Sequence, residues 1–263
     1  MTTRNFLLDS RFPLDWQMSL SERAVFISVL EKIRPKLSIE IGTYKGGSLQ
    51  VISEFSERVI AIDSNSNHVE ELSRKFKNVE FRIGNSTEVL PAVLSELNGK
   101  GLTPDFILVD GGHEEEQVKR DLNTILEISP GNEVAIICHD SFNPGCRRGI
   151  IGADWKNSPY VQEVEIDYVP GDFFERDFDT AHRGEMWSGF ALAILSPNQR
   201  SDELEILESR HTIFTATYAK SAHRTEDAWI RKISQNLKAR WEPLVSYLFV
   251  RCRPARWIRA RLA

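Results

Sequence analysis

The rhythm of residues 37–138 leaves few folds open. Short apolar runs of strand length, Leu37–Ile41, Arg58–Asp63, Val79–Ile83, Phe106–Val109 and residues 133–138, alternate with segments of helical spacing at 47–55, 67–76, 86–97 and 114–128. Antiparallel strands can be joined by tight hairpins, whereas connections of helix length imply parallel strands linked by right-handed crossovers. The reading is therefore an α/β chain with a doubly wound, mostly parallel sheet and helices on both faces. Upstream, residues 21–34 space Ala24, Val25, Ile27, Leu30 and Ile33 on one helical face, and Pro35 stops that helix. After Asp140 the rhythm changes. A long polar loop is expected, then strands at Val161–Val169 and 189–195 forming an antiparallel closing pair. A long amphipathic helix is expected at 229–249.

Composition excludes several classes. With 41% hydrophobic and 27% charged residues the chain can bury enough surface to offset its ordering entropy, so it is not disordered. The longest apolar stretches, 189–195 and 244–250, span seven residues, against about 20 for a membrane-spanning helix. Residues 1–10 carry Asp9 and no signal-peptide core. Cys138, Cys146 and Cys252 lie far apart, as in a reduced cytoplasmic protein.

A net charge of −5 gives no support to nucleic-acid binding as the main task, but its distribution is uneven. Residues 228–263 hold nine basic residues against one acid, and the rest hold 24 against 37. The chain divides into an N-terminal helical lead (1–35), a main domain (36–200) and a basic C-terminal helical extension (201–263). The apolar face of that extension would pack on the acidic domain or on a second subunit. The competing reading lays it on an anionic membrane, with the protein peripheral to the inner face.

In an open parallel sheet, ligands bind where the carboxyl ends of the strands meet the next loops. The first strand ends Glu40-Ile41-Gly42-Thr43-Tyr44-Lys45-Gly46-Gly47-Ser48. Small residues there let the backbone approach a ligand, and the following helix presents free N–H groups. The spacing differs from the Gly-x-Gly-x-x-Gly of dinucleotide folds, and a plain tight turn is an equal reading. Asp63 ends the second strand, 21 residues after Gly42. A carboxylate there suits both hydroxyls of a ribose; its alternatives are a turn or a helix cap. Gly84-Asn85-Ser86 suits an adenine edge, and Ser86 equally an N-cap. The fourth strand ends Asp110-Gly111-Gly112-His113 and the fifth His139-Asp140, so two carboxylates and two imidazoles are expected to face one cleft. The carboxylates suit Mg²⁺, and an imidazole shifts the choice towards Mn²⁺, with Asp110, His139 and Asp140 as ligands. His113 could instead cap the next helix and Asp140 could be a solvated loop acid. Two acidic clusters on neighbouring strand ends favour function.

The run from Glu40 to Ser48 resembles the first motif of class I S-adenosylmethionine (SAM)-dependent methyltransferases, in the branch of catechol-type and sugar O-methyltransferases. The resemblance covers about residues 35–195. It implies a Rossmann-like seven-stranded sheet with one antiparallel strand. It also implies that Glu40, Gly42, Thr43, Tyr44, Gly46 and Ser48 hold the methionine end of SAM and Asp63 the ribose, with Asn85, Ser86 and Asp110 completing the cofactor site. Asp110-Gly-Gly-His113 followed by His139-Asp140 resembles the macrocin-type and rhamnosyl O-methyltransferases. In that group two acidic strand ends bind a metal that grips the acceptor hydroxyls, and the histidine matching His113 is the general base. The departure is His139, where metal-dependent relatives commonly carry an acid.

The expectation is a SAM-dependent O-methyltransferase acting on a hydroxyl of a sugar, glycan or glycosylated small molecule. His113, Asp110 and His139 would serve catalysis. A sugar hydroxyl is a weak acid and needs a base, a metal or both. Residues 141–149 and 171–187, the second with Phe173, Phe174, His182, Arg183, Glu185 and Trp187, are expected as lids or substrate loops. Two alternatives compete. A NAD-dependent oxidoreductase is disfavoured by the glycine spacing, and a non-catalytic protein on the same fold by the joint presence of Asp63, Asp110, His113 and Asp140.

Overall fold

A computed structural model describes residues 11–174 and 182–223 of the chain. The expected helix at 229–249 and most of the basic extension lie outside the described residues, as do residues 1–10. Helix α1 (Leu20–Ile33) opens on a capping box, in which Ser19 Oγ accepts from the Glu22 N–H and the Glu22 carboxylate accepts from the Ser19 N–H. The parallel core follows as β1 (Leu37–Ile41), α2 (Leu49–Phe55), β2 (Arg58–Asp63), α3 (Ser66–Ser73), β3 (Val79–Ile83), α4 (Ser86–Gly99), β4 (Phe106–Val109), α5 (Glu115–Leu126) and β5 (Val134–His139). Every residue of β1, β4 and β5 is buried, which is why β4 and residues 134–138 of β5 read as continuous apolar runs, while β1 buries Ser38 and Glu40 among its apolar residues. One face of the sheet packs on α4 and α5 through Leu90, Leu97, Leu122 and Ile125. The other packs on α1, α2 and α3 through Phe26, Leu30, Ile52 and Leu72. The N-terminal helix thus shares the core of the sheet.

Beyond β5 come α6 (Pro144–Ile151), β6 (Val161–Val169), β7 (Asp172–Phe173), β8 (Met186–Trp187), β9 (Phe190–Leu195), β10 (Ile206–Leu207) and α7 (His211–Lys220). The strand order is β10-β6-β9-β5-β4-β1-β2-β3, with β9 antiparallel to both β5 and β6. The expected antiparallel pair is present. The expected seven strands gain an eighth, β10, whose two residues are too short to carry any periodicity. β7 and β8 form a separate antiparallel pair.

Residues 141–149, expected as a polar loop over the site, are mostly helix α6. Asn143 caps it by accepting from Gly145 and Cys146 N–H, and Pro144 stands at its first turn. Its Arg147, polar in sequence, is buried because Asp167 (2.6 Å) and Glu208 (2.7 Å) neutralise it. Among the described residues no helix is long and apolar enough to cross a membrane.

Candidate active site

The chain runs from β1 outward to β3 and then returns to β4 on the other side of β1, so the strand order reverses between β1 and β4. A crevice opens at the carboxyl ends of such a pair, and here it is a cavity of about 570 Å³. Gly42 carries the chain past it at φ +87°, so close to β4 that a Cβ would lie 2.1 Å from the Asp110 carbonyl oxygen. Thr43 N–H, the Thr43 hydroxyl and Tyr44 N–H each donate to Asp63 Oδ2 at 2.9 Å, and Asn65 N–H donates to Oδ1 at 2.7 Å. Asp63 therefore fastens the glycine loop as well as lining the cavity. A carboxylate has about four lone-pair positions, so Oδ2 is saturated and the expected grip on both ribose hydroxyls narrows to one bond at Oδ1.

Gly42, Thr43, Tyr44, Ser48, Asp63, Asn85, Ser86, Asp110, His113, His139 and Asp140 all line the cavity; Glu40 and Gly46 do not. Gly46, at φ +83°, turns the loop against Leu72 and Leu14. Glu40 is fully buried and accepts from Ser48 Oγ at 2.5 Å. Burial pushes its carboxyl well above the usual range. Its Oε2 is buried without a partner among the described residues.

At the far end of the cavity the N-cap of α4 is Asn85, which accepts from Thr87 N–H. Ser86 instead donates to Asp121 Oδ2 at 2.8 Å and accepts from Gln117 Nε2 at 3.2 Å. Burial raises the Asp121 carboxyl to about 6 from 3.8, despite the Ser86 bond that favours its charged form. A folded pKa above the unfolded one means that stability falls as pH rises from about 4 to about 6 and stays lower above it. Asp121→Asn is accordingly expected to stabilise the fold by about 1–2 kcal/mol at pH 8 and by less at pH 5. Urea denaturation at the two pH values reads this directly, and an unchanged or lowered midpoint at pH 8 would contradict it.

The reactive end gathers five titratable groups. His113 Nε2 lies 3.1 Å from Asp140 Oδ2, with the imidazole partly open to the cavity. The N-cap of α5 is Glu114, so His113 does not cap that helix. His139 Nδ1 lies 2.8 Å from Asp110 Oδ1 and 3.5 Å from Asp140 Oδ2. Its Nε2 lies 3.0 Å from Oε1 of Glu22, which reaches in from the first turn of α1. Asp140, at φ +57°, is itself fixed by the Ser188 N–H at 2.5 Å. A left-handed aspartate at such a place is strain held by its surroundings.

The charges follow from this geometry. Burial alone would discharge the His139 ring, but Asp110, Asp140 and Glu22 outweigh it and hold its pKa well above the ordinary value. Burial would likewise raise Asp140, yet His139 and His113 bring it down to about 2. Burial opposes protonation of His113, and Asp140 overcomes that and raises its pKa above 6.5.

Glu22 is the functional residue that the reading by strand ends omits. Its signal is Ser19-x-x-Glu22, a capping-box pattern, which predicts a helix start and nothing about a partner 117 residues away. Of the stretch expected as a lid, Phe174 and Trp187 line the cavity. The Trp187 ring stands edge-on to His113 at 4.7 Å, and its indole N–H donates to Glu185 at 2.9 Å.

The site fits SAM. Its volume is of cofactor size, Gly42 clears the backbone path, and Ser48 lines the cavity with the buried Glu40 carboxylate behind it, one oxygen of which has no partner among the described residues. Mg²⁺ or Mn²⁺ fits less well. Asp110, His139 and Asp140 do cluster within 4.8 Å, but both His139 nitrogens already face carboxylate oxygens. A ring nitrogen that donates a proton has no lone pair for a metal, so His139 could ligate an ion only by giving up one of these two contacts.

Residues 39–141 match the family model described as a methyltransferase domain. No curated protein matches the chain. Among solved structures, it is similar to the O-methyltransferase TomG of Streptomyces achromogenes, involved in tomaymycin synthesis and solved with SAM. The identity there is 17% over 73% of this chain and 85% of that one, with a TM-score of 0.50. An O-methyltransferase of Bacillus cereus in complex with SAH is 15% identical over 73% and 86%, with a TM-score of 0.50. A cofactor-bound protein from MTB is 17% identical over 71% and 85%, with a TM-score of 0.51. At these identities the likeness establishes a shared fold.

Proposed function

We propose that this chain, built on a methyltransferase domain at residues 39–141, transfers the methyl group of SAM to a hydroxyl of a sugar, glycan or glycosylated small molecule, with His113 as general base. The observation that carries this reading is the His113–Asp140 pair at the cavity, 3.1 Å apart and beside the aromatic edge of Trp187. A neutral His113 donates its Nε2 proton to Asp140, which leaves the Nδ1 lone pair to take the acceptor's proton. An amine needs no such base; a sugar hydroxyl does.

When bound, SAM supplies a methyl group already activated on a sulfonium. The loop Gly42–Tyr44 would line the cofactor, Asp63 Oδ1 would accept from a ribose hydroxyl, and Asn85, Ser86 and Gln117 would hold the nucleobase end. Ser48 lines the cavity and donates to Glu40, so Glu40 acts on the methionine end through Ser48. Asp110, partly exposed, accepts from an acceptor hydroxyl and orients it. Trp187 and Phe174 offer apolar faces to the acceptor ring. Alignment supplies most of the acceleration, and the base about 10²–10⁴-fold.

Incubation with SAM and a panel of glycosides, with methylated products read by mass spectrometry, tests the activity. Calorimetry with S-adenosylhomocysteine tests the cofactor. Asp63→Ala is expected to weaken that binding by about 1.5–3 kcal/mol, for lost charged hydrogen bonds and a loosened loop. Binding of NAD with indifference to S-adenosylhomocysteine would refute the assignment.

A further inference from the structure

Asp110 Oδ1 and Asp140 Oδ2 face the same point, and what stands between them is the Nδ1 of His139, at 2.8 and 3.5 Å. That is where an ion bridging the two carboxylates would sit. The opposite nitrogen is held by Glu22 Oε1 at 3.0 Å. Glu22 itself is committed as an acceptor, because Gly189 N–H donates to Oε1 and Ser19 N–H to Oε2, both at 2.6 Å. Backbone N–H groups only donate and favour the ionised carboxylate; burial opposes that charge, but His139 and the Ser19 bonds hold the Glu22 carboxyl below its ordinary range, which puts a proton on the ring nitrogen facing it. On the other side, Nδ1 faces Asp110 Oδ1 and Asp140 Oδ2, and Asp140 is likewise committed as an acceptor by the Ser188 N–H. The His139 ring, Asp140 and Glu22 are buried and Asp110 is partly so, a setting in which an uncompensated pair of aspartates would be costly.

We propose that the His139 ring, clamped by Glu22, takes the place of a divalent cation between Asp110 and Asp140, so that this site carries its cation covalently and neither binds nor needs Mg²⁺ or Mn²⁺. The inference deepens the methyltransferase reading and depends on it only for the turnover arm of the test. His139 is a positioning residue: it holds Asp110 towards the acceptor and keeps Asp140 charged for His113. Glu22 holds His139, which ties the first helix to the reactive centre.

The experiment titrates the full chain with Mn²⁺, reading bound ion by electron paramagnetic resonance. The wild type is expected to bind none up to millimolar concentration. His139→Asp exchanges the built-in cation for a carboxylate and is expected to bind Mn²⁺ at least about tenfold more tightly. A folded His139→Asp protein with no gain would overturn the proposal. So would one tight Mn²⁺ on the wild type that Asp110→Asn removes. Should His139→Asp fail to fold, nitrogen-detected NMR of the wild-type imidazoles decides: two protonated ring nitrogens on His139 at neutral pH support the inference, and one bare nitrogen overturns it. In the turnover arm, activity that survives exhaustive chelation supports the inference, and activity lost and restored only by the metal refutes it. Absence of methyl transfer to any acceptor would count against the proposed function alone, because the Mn²⁺ and NMR readouts need neither cofactor nor acceptor.

Discussion

Replacing His113 by alanine is expected to lower turnover by at least about 10²-fold while leaving affinity for S-adenosylhomocysteine within a few-fold. The imidazole is positioned at the cavity by Asp140 at 3.1 Å, and its loss removes an interaction used only as the acceptor proton departs. The pH profile supplies an independent check. The base works in its neutral form, and Asp140 holds the His113 pKa above 6.5, so activity should fall on the acid side through a limb above pH 6.5. Asp140→Asn removes the charge that raises this pKa and should move the limb to lower pH, with turnover reduced because the ring loses its orienting partner. An acid limb unmoved by Asp140→Asn would show that another group titrates. Equal losses of turnover and cofactor affinity in His113→Ala would point to a structural role.

Gly42→Ala should be the most damaging of the loop substitutions. A left-handed backbone costs a residue with a Cβ about 1–2 kcal/mol. Here the new carbon would also stand 2.1 Å from the Asp110 carbonyl oxygen and 2.9 Å from the Gly111 Cα, which are backbone atoms with little freedom to retreat. Together these should destabilise the fold by about 3 kcal/mol or more and weaken cofactor binding at least about tenfold. Gly99→Ala is the matched control: it closes helix α4 with nothing within 4 Å of the new Cβ, so it should be neutral or stabilise by up to about 1 kcal/mol. Melting curves and calorimetry on the two variants read both effects. A Gly42→Ala protein as stable as Gly99→Ala would mean that the loop is not packed against β4 as described.

These two residues also show how much a linear reading can reach. Strands β1 to β5 were legible to within a residue or two, because β2, β4 and β5 are buried apolar runs and β1 and β3 alternate apolar with polar residues, and both patterns are local properties. The strand ends were legible for the same reason: once the runs are placed, Gly42, Asp63, Asp110, His113 and Asp140 fall at carboxyl ends, where a parallel sheet binds ligands. Helix α6 was not, since its burial depends on Asp167 and Glu208, 20 and 61 residues beyond Arg147, neutralising a side chain that looks solvated on its own.

The chemistry divides along the same line. By itself the sequence determined which residue types meet at the sheet's edge, because spacing along the chain and strand polarity settle that. It left open what His139 does, since an imidazole between aspartates suits a metal as well as an ion pair. Folding bears on that question by bringing Glu22 across 117 residues to the second ring nitrogen, the contact on which our proposal of a built-in cation rests. Only a contact between distant segments could bear on ligand against cation, because the difference is one proton, and a carboxylate from another helix faces the nitrogen that would carry it.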